Sequence, residues 1–136
     1  MVARFARGVK PFAVVASRVL QCETQAGRKF SITVHIGQPW LDEASGAYYC
    51  NIYLSKPKPT VTRVGGIDGI SAISFALEIA GIKVFSALAG MRARSTSHGM
   101  LQDNGFPISP AVSQMLHSAD AADSIVIQPP NDRAMK

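Results

Sequence analysis

The sequence predicts an α+β domain in which an antiparallel sheet of about four strands packs on one long helix, with a second short helix towards the C-terminus. Three observations carry this expectation. Phe30, Ile32, Val34 and Ile36 alternate with Lys29, Ser31, Thr33 and His35, the period-two signature of a strand with one buried face. Ile70, Ile73, Leu77, Val84 and Leu88 recur at helical spacing. Four strand-like segments precede that helix and are joined by short polar connectors, which favours antiparallel neighbours. At 136 residues the chain has the size of a single domain, and its 47% hydrophobic and 17% charged content is that of a folded chain rather than a disordered one.

Taken in order, residues 1–11 form a basic arm, residues 12–128 the domain and residues 129–136 a disordered tail. Val14 to Cys22 is apolar and β-branched, and Glu23 to Gly27 connects it to the alternating strand as a hairpin. Gly37-Gln38-Pro39 ends that strand, and Asp42 to Gly46 reads as a loop. Tyr48, Cys50, Ile52 and Leu54 then alternate with Tyr49, Asn51, Tyr53 and Ser55 as a third strand. Lys56 to Pro59 stops it, because proline cannot donate to a ladder. Thr60 to Val64 is a short fourth strand.

Gly65-Gly66-Ile67-Asp68 changes the regime, since Asp68 can accept from the backbone N–H of Ile70 or Ser71 and cap a helix. Ala80 and Gly81 permit close approach to the sheet, although Gly81 also offers an early end. Phe75, Ile79 and Ile82 lie on the opposite side, so the helix is apolar nearly all round and this second face needs cover from the chain or from a partner. Its length approaches that of a membrane span, but Glu78, Lys83 and the surrounding strands argue against one. Met91 to Pro107 reads as a loop with solvated arginines. Ser109-Pro110 opens the second helix, carrying Val112, Met115, Leu116 and Ala119, and Ser124 to Gln128 reads as a last strand.

The formal charge of +5 is concentrated in the arm. Without Arg4, Arg7 and Lys10 the rest carries 11 basic against nine acidic side chains, so the arm reads as a solubilising tail. The apolar run Phe12 to Ala16 is too short for a signal sequence, and two cysteines make no disulfide framework. A cytoplasmic protein with buried structural thiols is expected.

Chemistry is hard to find in the spacing. His35, His98 and His117 lack companions at metal-site distances, and no cofactor is expected. His35 points away from the buried face of its strand and reads as a surface residue. Gly65 to Gly69 lacks the spacing of a phosphate loop, and Asp68 would repel an anion there. Cys50 falls on the buried alternation, so no catalytic pair is assigned and the protein is expected to be no enzyme. Tyr49, Asn51 and Tyr53 share an outer face on which single-stranded nucleic acid would stack, but no cation is interleaved with them.

Ile36-Gly37-Gln38-Pro39 at a strand end, Tyr49-Cys50-Asn51-Ile52 in the next strand, and Gly66 to Leu77 opening the helix resemble a family of short, mostly bacterial proteins known only as a domain of unknown function. The resemblance covers roughly residues 14–90, and Gly69 and Ser71 depart from the family's helix start. It implies the α+β architecture and no assigned activity, and no site residues follow from it. By analogy of size such domains look like immunity or accessory proteins.

The expected function is therefore a non-enzymatic protein-binding module, with Phe75, Ile79 and Ile82 as the partner or dimer face. The alternative is a nucleic-acid-associated accessory protein that uses Arg4, Arg7, Lys10, Arg92 and Arg94, with Arg28, Lys29, Lys56 and Lys58 joining them if folding gathers these charges.

Overall fold

The structure is a computed structural model in which residues 3–96 and 105–107 are described. Its sheet contains β1 (Val14–Thr24), β2 (Lys29–Gly37), β3 (Trp40–Asp42), β4 (Ala47–Leu54), β5 (Thr60–Gly66) and β6 (Ala93–Ser95), and one helix, α1 (Gly69–Gly90), lies between β5 and β6 in sequence. All strand pairs are antiparallel. The α+β class stands, but the sheet has six strands rather than four. The expected second helix, the strand at 124–128 and the tail lie outside the described residues.

Both additional strands are three residues long, too short to show a period. Pro39 does end β2, yet the chain resumes beside the same neighbour: Val34 to Ile36 pair with Ile52 to Leu54, and Trp40 to Asp42 pair with Ala47 to Tyr49. The segment expected to be a loop from Met91 contains β6, where Ser95, Arg94 and Ala93 pair with Cys22, Glu23 and Thr24. The sheet thus runs β5, β4, then β2 and β3 one after the other along the far edge of β4, with β1 beside β2 and β6 beside β1.

Alternation along these strands places Leu20, Ile32, Val34, Ile52 and Cys50 on one face, each no more than 1% exposed, and α1 covers them. Asp68 has extended backbone angles and accepts the Ser71 N–H at 2.7 Å, the cap expected from sequence. Gly81 is buried within the helix and does not end it. The buried stripe is Ala72, Ala76, Ala80, Val84 and Leu88; Val84 and Leu88 are where the spacing put them, and Ile73 and Leu77, also expected there, are partly buried against the core. Ile70, placed on the sheet side by its size, is 82% exposed.

The small side chains have a steric cause. A methyl group on Gly66 would sit 2.5 Å from the Ala72 nitrogen, so the first turn of α1 rests directly on the end of β5. The stripe begins with alanines at 72, 76 and 80 next to this contact, and the larger Val84 and Leu88 enter it further along the helix. By length and composition α1 is also apolar enough to cross a membrane. In this fold its buried stripe faces the sheet.

Candidate functional site

The outer face of the sheet is not left to solvent. Ser17, His35 and Tyr53 are cross-strand neighbours on β1, β2 and β4, and the N-terminal arm lies across this row. Phe5 packs within about 5 Å of the rings of Phe12, His35 and Tyr53. The Ala6 N–H donates to the Tyr53 hydroxyl at 3.2 Å. Gly37 makes room for the arm, since a methyl group there would meet the Phe12 ring at 2.9 Å. The arm expected to be a solubilising tail is docked instead, because Phe5 in the arm and Phe12 just after it have aromatic surface to cover.

His35 is consequently buried, 5% exposed, and not on the surface. Its ring stacks on Tyr53 with an interplanar angle of 20°. Nε2 lies 2.7 Å from the Arg4 carbonyl oxygen and Nδ1 lies 2.6 Å from the Ser17 hydroxyl oxygen. A carbonyl only accepts, so Nε2 carries the hydrogen. In the neutral imidazole Nδ1 is then bare, and the Ser17 hydroxyl donates to it. A serine–histidine pair, which no sequence spacing suggested, is thus assembled by strand pairing and oriented by the arm.

Beside this row the outer face carries a second aromatic group. Trp40 and Tyr49 have ring centroids 5.3 Å apart, and the Arg63 guanidinium sits 4.5 Å from the Tyr49 ring centre. The cation missing from the sequence pattern is therefore supplied by β5, whose Arg63 pairs with Asn51. Tyr49 lies over Gly65, with ring carbon 3.1 Å from where a side chain would begin.

Charge is sorted by the two ends of the sheet. Arg28 and Lys29 sit at the β1–β2 turn, and Arg92 and Arg94 are tied to it where the Gln25 N–H donates to the Arg92 carbonyl and Arg94 pairs with Glu23. Lys56 and Lys58 occupy the β4–β5 turn on the same side, next to Ser55, whose N–H donates to the Thr33 carbonyl. Burial pushes the Cys22 thiol up, while the Ile32 backbone and the nearby charge of Lys56 act against it. Glu23 answers these cations only weakly, its carboxylate being 4.0 Å from an Arg94 whose side chain is 80% exposed. Asp42, Glu43 and Asp68 are at the opposite end, with the start of α1.

The residues expected from sequence are therefore divided among three places. Arg92 and Arg94 belong to the basic end, joined by the four other cations. Arg4, Arg7 and Lys10 cross the outer face in the arm, and the row at Ser17 is six residues along β1 from Glu23, about 20 Å in an extended strand. Phe75 is half exposed on α1, whereas Ile79 and Ile82 are partly buried and Ile79 packs against the core. Cys50 is buried with its thiol pushed up by burial against a hydrogen bond to the Gly37 carbonyl, and both thiols are free, with β2 between their strands. Among the described residues, no group of three or more histidine, cysteine or acidic side chains is placed to hold a metal ion.

Among the described residues, one antiparallel sheet with a helix on one face and the N-terminal arm folded over the other defines a small α+β domain of simple topology. Within that class the chain belongs to the family described as a domain of unknown function, DUF6968, whose model matches residues 16–108. No curated protein and no solved structure matches the chain.

Proposed function

We propose that this domain is a protein-binding module, accessory or immunity-like in role, which docks a partner on the end of the molecule where α1 begins. The observation that supports it is the exposure of Ile67 and Ile70, 85% and 82%, on either side of the helix cap. Burying a large aliphatic side chain is worth roughly 1.5–3 kcal/mol, and neither residue collects it from this chain. Leu41 is 44% exposed and belongs to the same end, because Leu41 and Gly66 flank Tyr48 from opposite sides of the ladder.

The rim of this apolar end is acidic, with Asp42, Glu43 and Asp68. The fitting occupant is a protein that presents an apolar anchor flanked by lysine or arginine side chains. Phe75 stands further along α1 at the margin of the surface. Ile79 and Ile82, being partly buried, contribute less contact.

The test uses Ile70→Asp, a change at a position so exposed that the fold has little stake in it. Wild-type and variant protein are immobilised side by side and washed with lysate of the source organism. The expected result is a stoichiometric protein that wild type retains, that salt weakens and that the variant loses while its circular dichroism is unchanged. Equal retention by the variant, or no retained protein, overturns the reading, and self-association abolished by the same change would assign the surface to a second copy. A second reading, binding of nucleic acid at the opposite end, is supported by the gathering of Arg28, Lys29, Lys56, Lys58, Arg92 and Arg94 there.

A further inference from the structure

We propose that Ser17 is an activated nucleophile and that the cleft beside it accepts the acyl group of a small apolar carboxylic ester. This inference is independent of the docking end, which lies on the other face of the sheet. The first ground is the hydrogen-bond chain already described. Nucleophile to base is 2.6 Å and base to orienting group is 2.7 Å, the two contacts that serine–histidine chemistry requires. The carbonyl of Arg4 does the orienting, holding Nε2–H so that Nδ1 keeps its lone pair towards Ser17.

The second ground is access. His35 is shielded by Phe5 and Tyr53, but Ser17 itself is exposed and lines a cleft of about 520 Å³ that the arm makes with β1. Its lining includes Phe5, Pro11, Phe12, Val14 and Val15, and Ser17 is the one residue of the lining with a polar side chain, so it suits an aliphatic or aryl group rather than a charged one. The pairing of β1 with β2 shifts register between Val14 and Ala16, immediately before Ser17. Such a bulge turns the following side chain relative to a regular strand.

In the reaction the Ser17 oxygen bonds to the ester carbon as its proton passes to Nδ1 of His35. The bond from that carbon to the alcohol oxygen breaks, and the departing alkoxide takes the proton. Water then attacks the acyl-serine, gives its proton to Nδ1 and releases the carboxylic acid as Ser17 recovers a proton from His35. One water is consumed and no oxidant or reductant is needed.

The experiment treats the full chain with an alkyl fluorophosphonate, in which the serine oxygen displaces fluoride from phosphorus, and locates the adduct by peptide mass spectrometry. The expected adduct is on Ser17, formed much faster than any on the exposed Ser74, absent in Ser17→Ala, and slowed about 100-fold or more in His35→Gln, the contribution of a general base. Hydrolysis of p-nitrophenyl butyrate should fall with it. Should His35→Gln fail to fold, the wild-type labelling rate against pH decides the matter, because a histidine base makes the rate fall tenfold per unit on the acid side of one titration. No adduct at Ser17, labelling no faster than at Ser74, or a rate without that acid limb overturns the proposal.

Discussion

At Gly66 a single methyl group would have to occupy the space of the Ala72 nitrogen, 2.5 Å away, and of the Ser71 carbonyl carbon, 2.8 Å away. Both are backbone atoms at the start of a capped helix, so nothing flexible can yield. Gly66→Ala is therefore expected to lower stability by about 2 kcal/mol or more, in the range of overpacking and above it if α1 must lift from the sheet. Urea unfolding with an unchanged m-value would check it, and a loss below about 0.5 kcal/mol would show that the contact is looser than described. His35 teaches a related lesson about legibility. Period-two alternation correctly put it on the outer face of its strand, but it could not show that Phe5, thirty residues earlier, folds over that face. The signal was Phe5 within an otherwise basic arm, with Phe12 immediately after it, since a purely solubilising tail has no use for either.

At the scale of the element, α1 shows where patterning by residue size succeeds and fails. Its start at Asp68 was legible because a cap is a local hydrogen bond between residues three apart in sequence. Its phase was legible from Ile73 to Leu88 and failed at Ile70, in the first turn, where the helix rests against Gly66 and Ala72 is the buried residue. Two substitutions test this. Ala76→Leu adds volume to a position with no exposure and is expected to cost about 1–3 kcal/mol, whereas Ile70→Ala trims an 82% exposed side chain and should change stability by about 0.5 kcal/mol or less. Were Ile70 a core residue, its truncation would cost about 2–5 kcal/mol, so thermal melts of the pair discriminate cleanly. The strands β3 and β6 were illegible for a different reason: three residues hold too little pattern, and only the ladder with β4 or β1 makes them strands.

For the whole molecule, the modest charge surplus matters less than its distribution. The antiparallel ladder brings the β1–β2 turn, the β4–β5 turn and the exit from α1 to one end, so cations 28, 29, 56, 58, 92 and 94 become neighbours although the sequence scatters them. The carboxylates of Asp42, Glu43 and Asp68 are carried to the other end by the β3–β4 turn and the helix cap. If the basic end binds single-stranded nucleic acid, neutralising about six phosphates, the affinity should fall with salt at a log–log slope of about −4, since each contact on a single strand contributes about −0.7. Arg92→Gln with Arg94→Gln should reduce that slope by about 1.4 without altering the melting temperature, because both side chains are exposed and Glu23 holds Arg94 only loosely. Arg4, Arg7 and Lys10 cross the other part of the outer face, and their replacement by glutamine should leave most of the slope in place. A titration of a labelled oligonucleotide over several salt concentrations measures all three slopes. A wild-type slope near zero would remove nucleic acid as a ligand, and an equal fall for the arm variant would mean that the ligand runs from the basic end across the sheet instead of stopping there.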